Sequence, residues 1–138
     1  MLQDLRQRSD AIEECYEFML AYAAQGLPGD AGSQSGGQLR EFLRRAVEAL
    51  AGLSTAYTIA VAGLQPAERY QAFLDVLDRD ARDSLAALEL VLAQPAIGSQ
   101  LIDNLNASIH VRALLTDLFL IDEILKGAGQ INVALPNS

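Results

Sequence analysis

The 138-residue chain contains no tryptophan, one cysteine, one histidine and one lysine, and each shortage closes off a class of function. Cys15 alone permits no internal disulfide, and a lone thiol fits a reducing, cytoplasmic setting. The carboxylate-bridged di-iron site of helical bundles needs a Glu-x-x-His pair on each of two helices. Here the residue three before His110 is Ala107, so that centre fails on residue count. Glu13, Glu14 and Glu17 lack nitrogen ligands beside them and read as acids facing water near a helix start, so neither a metal nor a cofactor is expected. Basic residues are also scarce, at 10 against 18 acidic ones, for a net charge of −8. That balance argues against a nucleic-acid surface or an anionic membrane as partner. Without tryptophan, a protein interface has fewer strong anchors.

A targeting segment is not expected either, because the opening MLQDLRQRSDAIEE is polar and carries both signs of charge. The longest uncharged run, Ala49 to Ala67, contains Ser54, Thr55, Thr58, Gln65, Pro66 and two glycines. It continues an amphipathic pattern and lacks flanking lysines, so no membrane insertion is expected.

What the chain has in quantity is apolar residues, 51% of the total, spaced by threes and fours. Leu2, Leu5, Ser9, Ile12, Tyr16, Met19 and Ala23 form one such series. Leu39, Leu43, Ala46, Leu50, Leu53, Tyr57, Ala60 and Leu64 form a second, and Tyr70, Leu74, Leu77, Ala81, Leu85, Leu88 and Leu92 a third. A fourth runs from about Leu101 to Leu125. Each rhythm places its members on one helix face. The spacing predicts an all-α chain with long amphipathic helices over about 3–25, 37–64, 67–93 and 99–126, arranged as an up-down-up-down four-helix bundle covering 1–126.

The punctuation points the same way. Gly26 and Pro28 stop the first helix, and Ser35 with Gln38 reads as a capping box opening the second. Pro66 starts the third, Pro95 and Gly98 end it, and Gly127 and Gly129 end the fourth. The glycine-rich loop 26–37 reads as a flexible connector, because no Gly-Lys-Ser/Thr follows it. Residues 127–138 read as an apolar tail in which Ile131, Val133 and Leu135 alternate.

The fourth helix is apolar nearly all round: Leu114, Leu115, Leu118, Phe119, Leu120, Ile121, Ile124 and Leu125. A helix of that kind must be covered on every side. A second copy of the chain is the expected cover, through Leu114, Leu118, Phe119, Ile121 and Leu125, giving a homodimer. The leading function is therefore a non-catalytic accessory, adaptor or assembly protein that acts by binding another protein. No catalytic constellation is assembled: Cys15 lies inside an apolar rhythm, and no oxyanion motif accompanies it.

Two other functions are open to the chain, the first a phosphotransfer-like signalling module using His110. Asp103, Asn106, His110 and Asp117 fall on one side of the fourth helix, and an acidic bundle with one histidine resembles histidine phosphotransfer domains in architecture. Those domains carry a basic residue three places after the histidine and glycine at four; here Arg112 stands one place early and Leu114 replaces the glycine. The third reading is a bundle that binds a small apolar ligand or cofactor between helices, lined by aromatics such as Tyr16, Tyr22, Tyr57 and Tyr70.

Overall fold

The structure is a computed structural model that describes residues 2–137, with side chains described through residue 128. Its described residues form six helices and no strand: α1 (Leu2–Ala23), α2 (Gln34–Leu50), α3 (Leu53–Ala60), α4 (Ala67–Leu92), α5 (Ser99–Ala107) and α6 (His110–Asn137). The chain is all-helical, as the periodicity predicts, but the second and fourth predicted helices are each divided in two.

The first division lies at Gly52, whose φ of 76° is left-handed and ends the α2 ladder. Two carbonyls near the break, those of Ala49 and Ala51, accept from Arg8 of α1 at 2.8 and 2.7 Å. Asp4 holds the same guanidinium from the other side at 3.0 Å. The apolar rhythm survives the break, since Leu43, Ala46, Leu50, Leu53 and Tyr57 are all buried. Periodicity alone therefore shows no interruption there.

The second division lies at Ile109, a β-branched residue with φ 63°. Ser108 closes the end of α5 by donating to the Leu105 carbonyl at 2.6 Å, and the Ile109 carbonyl accepts the Ala113 amide at 2.8 Å to begin the α6 ladder.

Two boundaries also move. The cap of α2 is Ser33, not Ser35: its hydroxyl accepts the Gly36 amide at 2.9 Å, and a Cβ at Gly36 would run into the Asp30 carbonyl. α6 does not stop at Gly127, which keeps helical backbone, and the helix runs to Asn137. Gly127 and Gly129 both fall within it, each at a cost of about 1 kcal/mol that flanking helix formers can carry. The side chains of Ile131, Val133 and Leu135 lie outside the described residues.

α1 packs against α2, α5, α6 and α3, while α4 packs against α6, α2 and α3. Ile12, Met19, Leu39, Leu43, Leu53, Leu77, Leu88, Ile102, Leu114 and Leu118 are fully enclosed between them. Each such side chain contributes roughly 1.5–3 kcal/mol on leaving water. Among the described residues no helix is long and apolar enough to cross a membrane.

The glycine-rich loop is tied down, contrary to its reading as a flexible connector. Asp30 pairs with Arg40 and accepts the Ile97 amide at 2.7 Å, while Arg40 donates on to the carbonyls of Leu92 and Gln94 at 3.2 and 3.0 Å. Leu27 and Ser99 exchange two further bonds at 2.8 and 2.9 Å. Tyr22 donates to Ile97 at 2.7 Å, and Ser99 returns a bond to the Tyr22 carbonyl at 2.6 Å. Gly98 must lack a side chain, because a Cβ there would sit 2.8 Å from the Pro28 carbonyl. Arg40 is thus committed to this knot. Arg44 and Arg45 pair within α2 to Glu41.

Candidate functional site

α6 is where the expectation and the structure part most clearly. Of the five residues expected to make the interface, Leu114, Leu118, Ile121 and Leu125 are buried in the chain's own core, against α1 and α4. They are corrected to core residues. Phe119 alone of the set faces outward, at 52% exposure, joined by Leu120 at 52% and Ile124 at 41%. The phase of the polar residues carries this distinction: Arg112, Thr116 and Glu123 mark the solvent side, and Phe119 and Leu120 fall in step with them. That signal is present in the sequence and was outweighed by the sheer number of apolar residues.

Behind this outward face two polar contacts fasten α6 to its neighbours. Asp122 accepts from the Tyr57 hydroxyl of α3 at 2.5 Å and from Ser9 of α1 at 3.3 Å. Burial pushes its carboxyl above the ordinary range, while the Tyr57 and Ser9 bonds and the nearby Arg6 pull it back. The same burial raises the Tyr57 phenol, with Asp122 adding to the effect. One turn and a half earlier, Asp117 meets Asp80 of α4. Burial first, and the Asp80 carboxyl second, push Asp117 up to about 7. Its Oδ2 is closed off from solvent and meets no hydrogen-bond partner among the described residues, a setting that favours the protonated form of Asp117. The periodicity of either helix alone shows neither partner.

The polar strip read around His110 is not one strip. The left-handed Ile109 separates α5, which carries Asp103 and Asn106, from α6, which carries His110 and Asp117. Asp103 is exposed, Asn106 donates to the Met19 carbonyl at 3.2 Å, His110 is half-buried at the head of α6, and Asp117 turns to Asp80. The physical reason is the helix break, which resets the angular phase between residues 106 and 110.

Other candidate chemistry is plainly placed. Cys15 is buried, and burial pushes its thiol up to about 12, which leaves negligible thiolate near neutral pH. No group of three or more His, Cys, Asp or Glu is placed to hold a metal among the described residues. A cleft of about 230 Å³ opens at the α3–α4 elbow, lined by Val61, Leu64, Tyr70 and Leu74. Of the four tyrosines it involves Tyr70 only, whereas Tyr22 and Tyr57 are core residues whose hydroxyls are already bonded.

No family model matches the chain, and neither a curated protein nor a solved structure matches it.

Proposed function

We propose that this chain is a non-catalytic assembly or adaptor protein that engages another protein chain through the outward face of α6. The observation that carries the reading is the set Phe119, Leu120 and Ile124, left 52, 52 and 41% exposed on a helix whose other large apolar residues through residue 128 are packed. Water contact on three neighbouring large apolar groups is a cost that a second surface removes. In this reading the six helices act as four columns, with α2 and α3 forming one and α5 and α6 another. The pairings α1–α2, α2–α4, α4–α6 and α6–α1 support that up-down-up-down bundle by closing a ring. A second copy of the chain is the partner proposed, in a cytoplasmic setting.

The test is sedimentation velocity of the intact chain across the micromolar range. A species of twice the 14.8 kDa chain mass is expected. Leu120→Lys should shift it to monomer while leaving the helical circular dichroism unchanged, because that side chain is outside the core. A monomer at every concentration, or a dimer indifferent to Leu120→Lys, overturns the proposal.

A further inference from the structure

The outward face of α6 carries a charge pattern that selects the kind of surface it fits. Arg112, Thr116, Phe119 and Glu123 recur at spacings of four, three and four, and all four are exposed. Eleven residues are close to three whole turns, so Arg112 and Glu123 lie on one line roughly 16 Å apart. Neither has an ion-pair partner among the described residues. The ground between them is apolar in effect: Phe119 is a ring, and the Thr116 hydroxyl is spent on the Arg112 carbonyl at 2.9 Å. Leu120 and Ile124 flank the line on one side. Between Arg112 and Glu123 the face therefore has a positive end, an apolar middle and a negative end, with the exposed Lys126 one turn beyond Glu123.

Such a stripe is complementary to itself reversed. We infer that it pairs with the same stripe of a second copy, helices antiparallel across a two-fold axis passing between Thr116 and Phe119, so that Arg112 of each copy meets Glu123 of the other. Residue numbers facing one another then sum to a constant: 112 with 123, and 116 with 119. A closed two-fold uses one patch twice, so both ion pairs form together. The flanking Leu120 and Ile124 of both copies fall on the same side of the seam; the two Leu120 side chains come nearest one another across the two-fold, and each Ile124 extends toward the Arg112 end of the other copy. A parallel pairing would instead set arginine beside arginine and glutamate beside glutamate, which charge repulsion disfavours. This inference rests on α6 being the assembly surface and adds its partner and geometry.

The experiment is a charge-reversal cycle on the full chain, read as the dimer dissociation constant by sedimentation at low salt, where exposed charges are least screened. Arg112→Glu and Glu123→Arg should each weaken the dimer by roughly tenfold or more, since each places like charges together twice. The double variant restores opposite charges at both contacts and should return the constant to near its starting value. Both residues are exposed, and circular dichroism of each variant verifies that the fold is kept. If the single reversals leave the constant unchanged while Leu120→Lys still dissociates the dimer, the antiparallel pairing is wrong and the α6 surface stands. If the double variant is as weak as the two single losses combined, the pairing is likewise overturned. A chain that is monomeric throughout overturns both.

Discussion

Asp117 is the residue whose environment departs furthest from what its type suggests. Its carboxyl, raised from an ordinary value of 3.8 to about 7, holds a proton in the folded chain that it releases in the unfolded one. Between those values the native state binds more protons than the unfolded state, so this residue's contribution to stability is full in acid and is lost as pH rises from about 4 to about 7. Asp117→Asn keeps the shape of the protonated acid and supplies a permanent donor toward Asp80. Urea unfolding at pH 8 should show the variant more stable than the parent by about 1 kcal/mol, a discounted figure because solvent reaches part of the carboxyl. The gap should close in acid. A variant less stable than the parent at pH 8 would mean the two carboxyls do not share a proton.

Ile109 carries strain of another kind. A β-branched residue in the left-handed region costs about 1–2 kcal/mol, and its side chain, 59% exposed, recovers little of that by burial. Ile109→Gly removes the clash at the expense of extra unfolded-chain freedom, about 0.5–1 kcal/mol. The net expectation is a gain of up to about 1 kcal/mol, visible as a raised melting temperature. A loss would show that the Ile109 side chain contributes packing that its exposure conceals.

Among the connecting elements, the knot between loop 26–37 and residues 92–99 determines how α1 and α2 stand relative to α4 and α5. Arg40 is its centre, bonded to Asp30 and to the carbonyls of Leu92 and Gln94. Arg40→Ala strands those acceptors in a partly enclosed setting and should cost about 2–3 kcal/mol in denaturant unfolding. Arg40 first, and the Ile97 amide second, hold the Asp30 carboxyl down at about 2. A depressed carboxyl contributes stability above its unfolded value of 3.8, and loses it as pH falls toward about 2. The parent should therefore weaken over that acid window, and Arg40→Ala should show a shallower slope there. An unchanged slope would mean that the pair does not control Asp30.

The elements also show where sequence reading stops. The buried phase of α1 was legible at Leu5, Ser9, Ile12 and Met19, because a local period of 3.6 is all it requires, while Cys15 and Tyr22 take the buried places read for Tyr16 and Ala23, and Leu2 is exposed. In α4 the series holds through Leu74, Leu77, Ala81 and Leu88, but Ser84 and Val91 take the buried places that the spacing assigns to Leu85 and Leu92. The joint at Gly52 hides inside an unbroken apolar rhythm. That at Ile109 hides behind a residue type that rarely adopts a positive φ. Both depend on what the backbone does at a single residue, which a pattern spread over a whole turn averages away.

For the molecule as a whole, the candidate surface is small and its argument is one of remainder. Among the described side chains of α6, most of the apolar ones fill the core beside α1 and α4, and of the large ones Phe119, Leu120 and Ile124 are left outside. The residues first expected to reach a partner are those that hold the chain together, so charged substitution at Leu118 would report on folding and not on assembly. The proposed dimer is for that reason tested at Leu120, Arg112 and Glu123, whose substitution leaves the interior untouched.

The amino-acid sequence by itself determined the helical class, the inward phase of most helices and the acidic charge balance. Each of these follows from the order of residue types over a few turns. Tertiary structure alone decided where the long helices break, which carboxyls meet, and that the glycine loop is fastened. The physical reason is the reach of the interactions: Asp80 meets Asp117, and Tyr57 meets Asp122, across long stretches of chain, and helix packing selects such contacts where no local period encodes them.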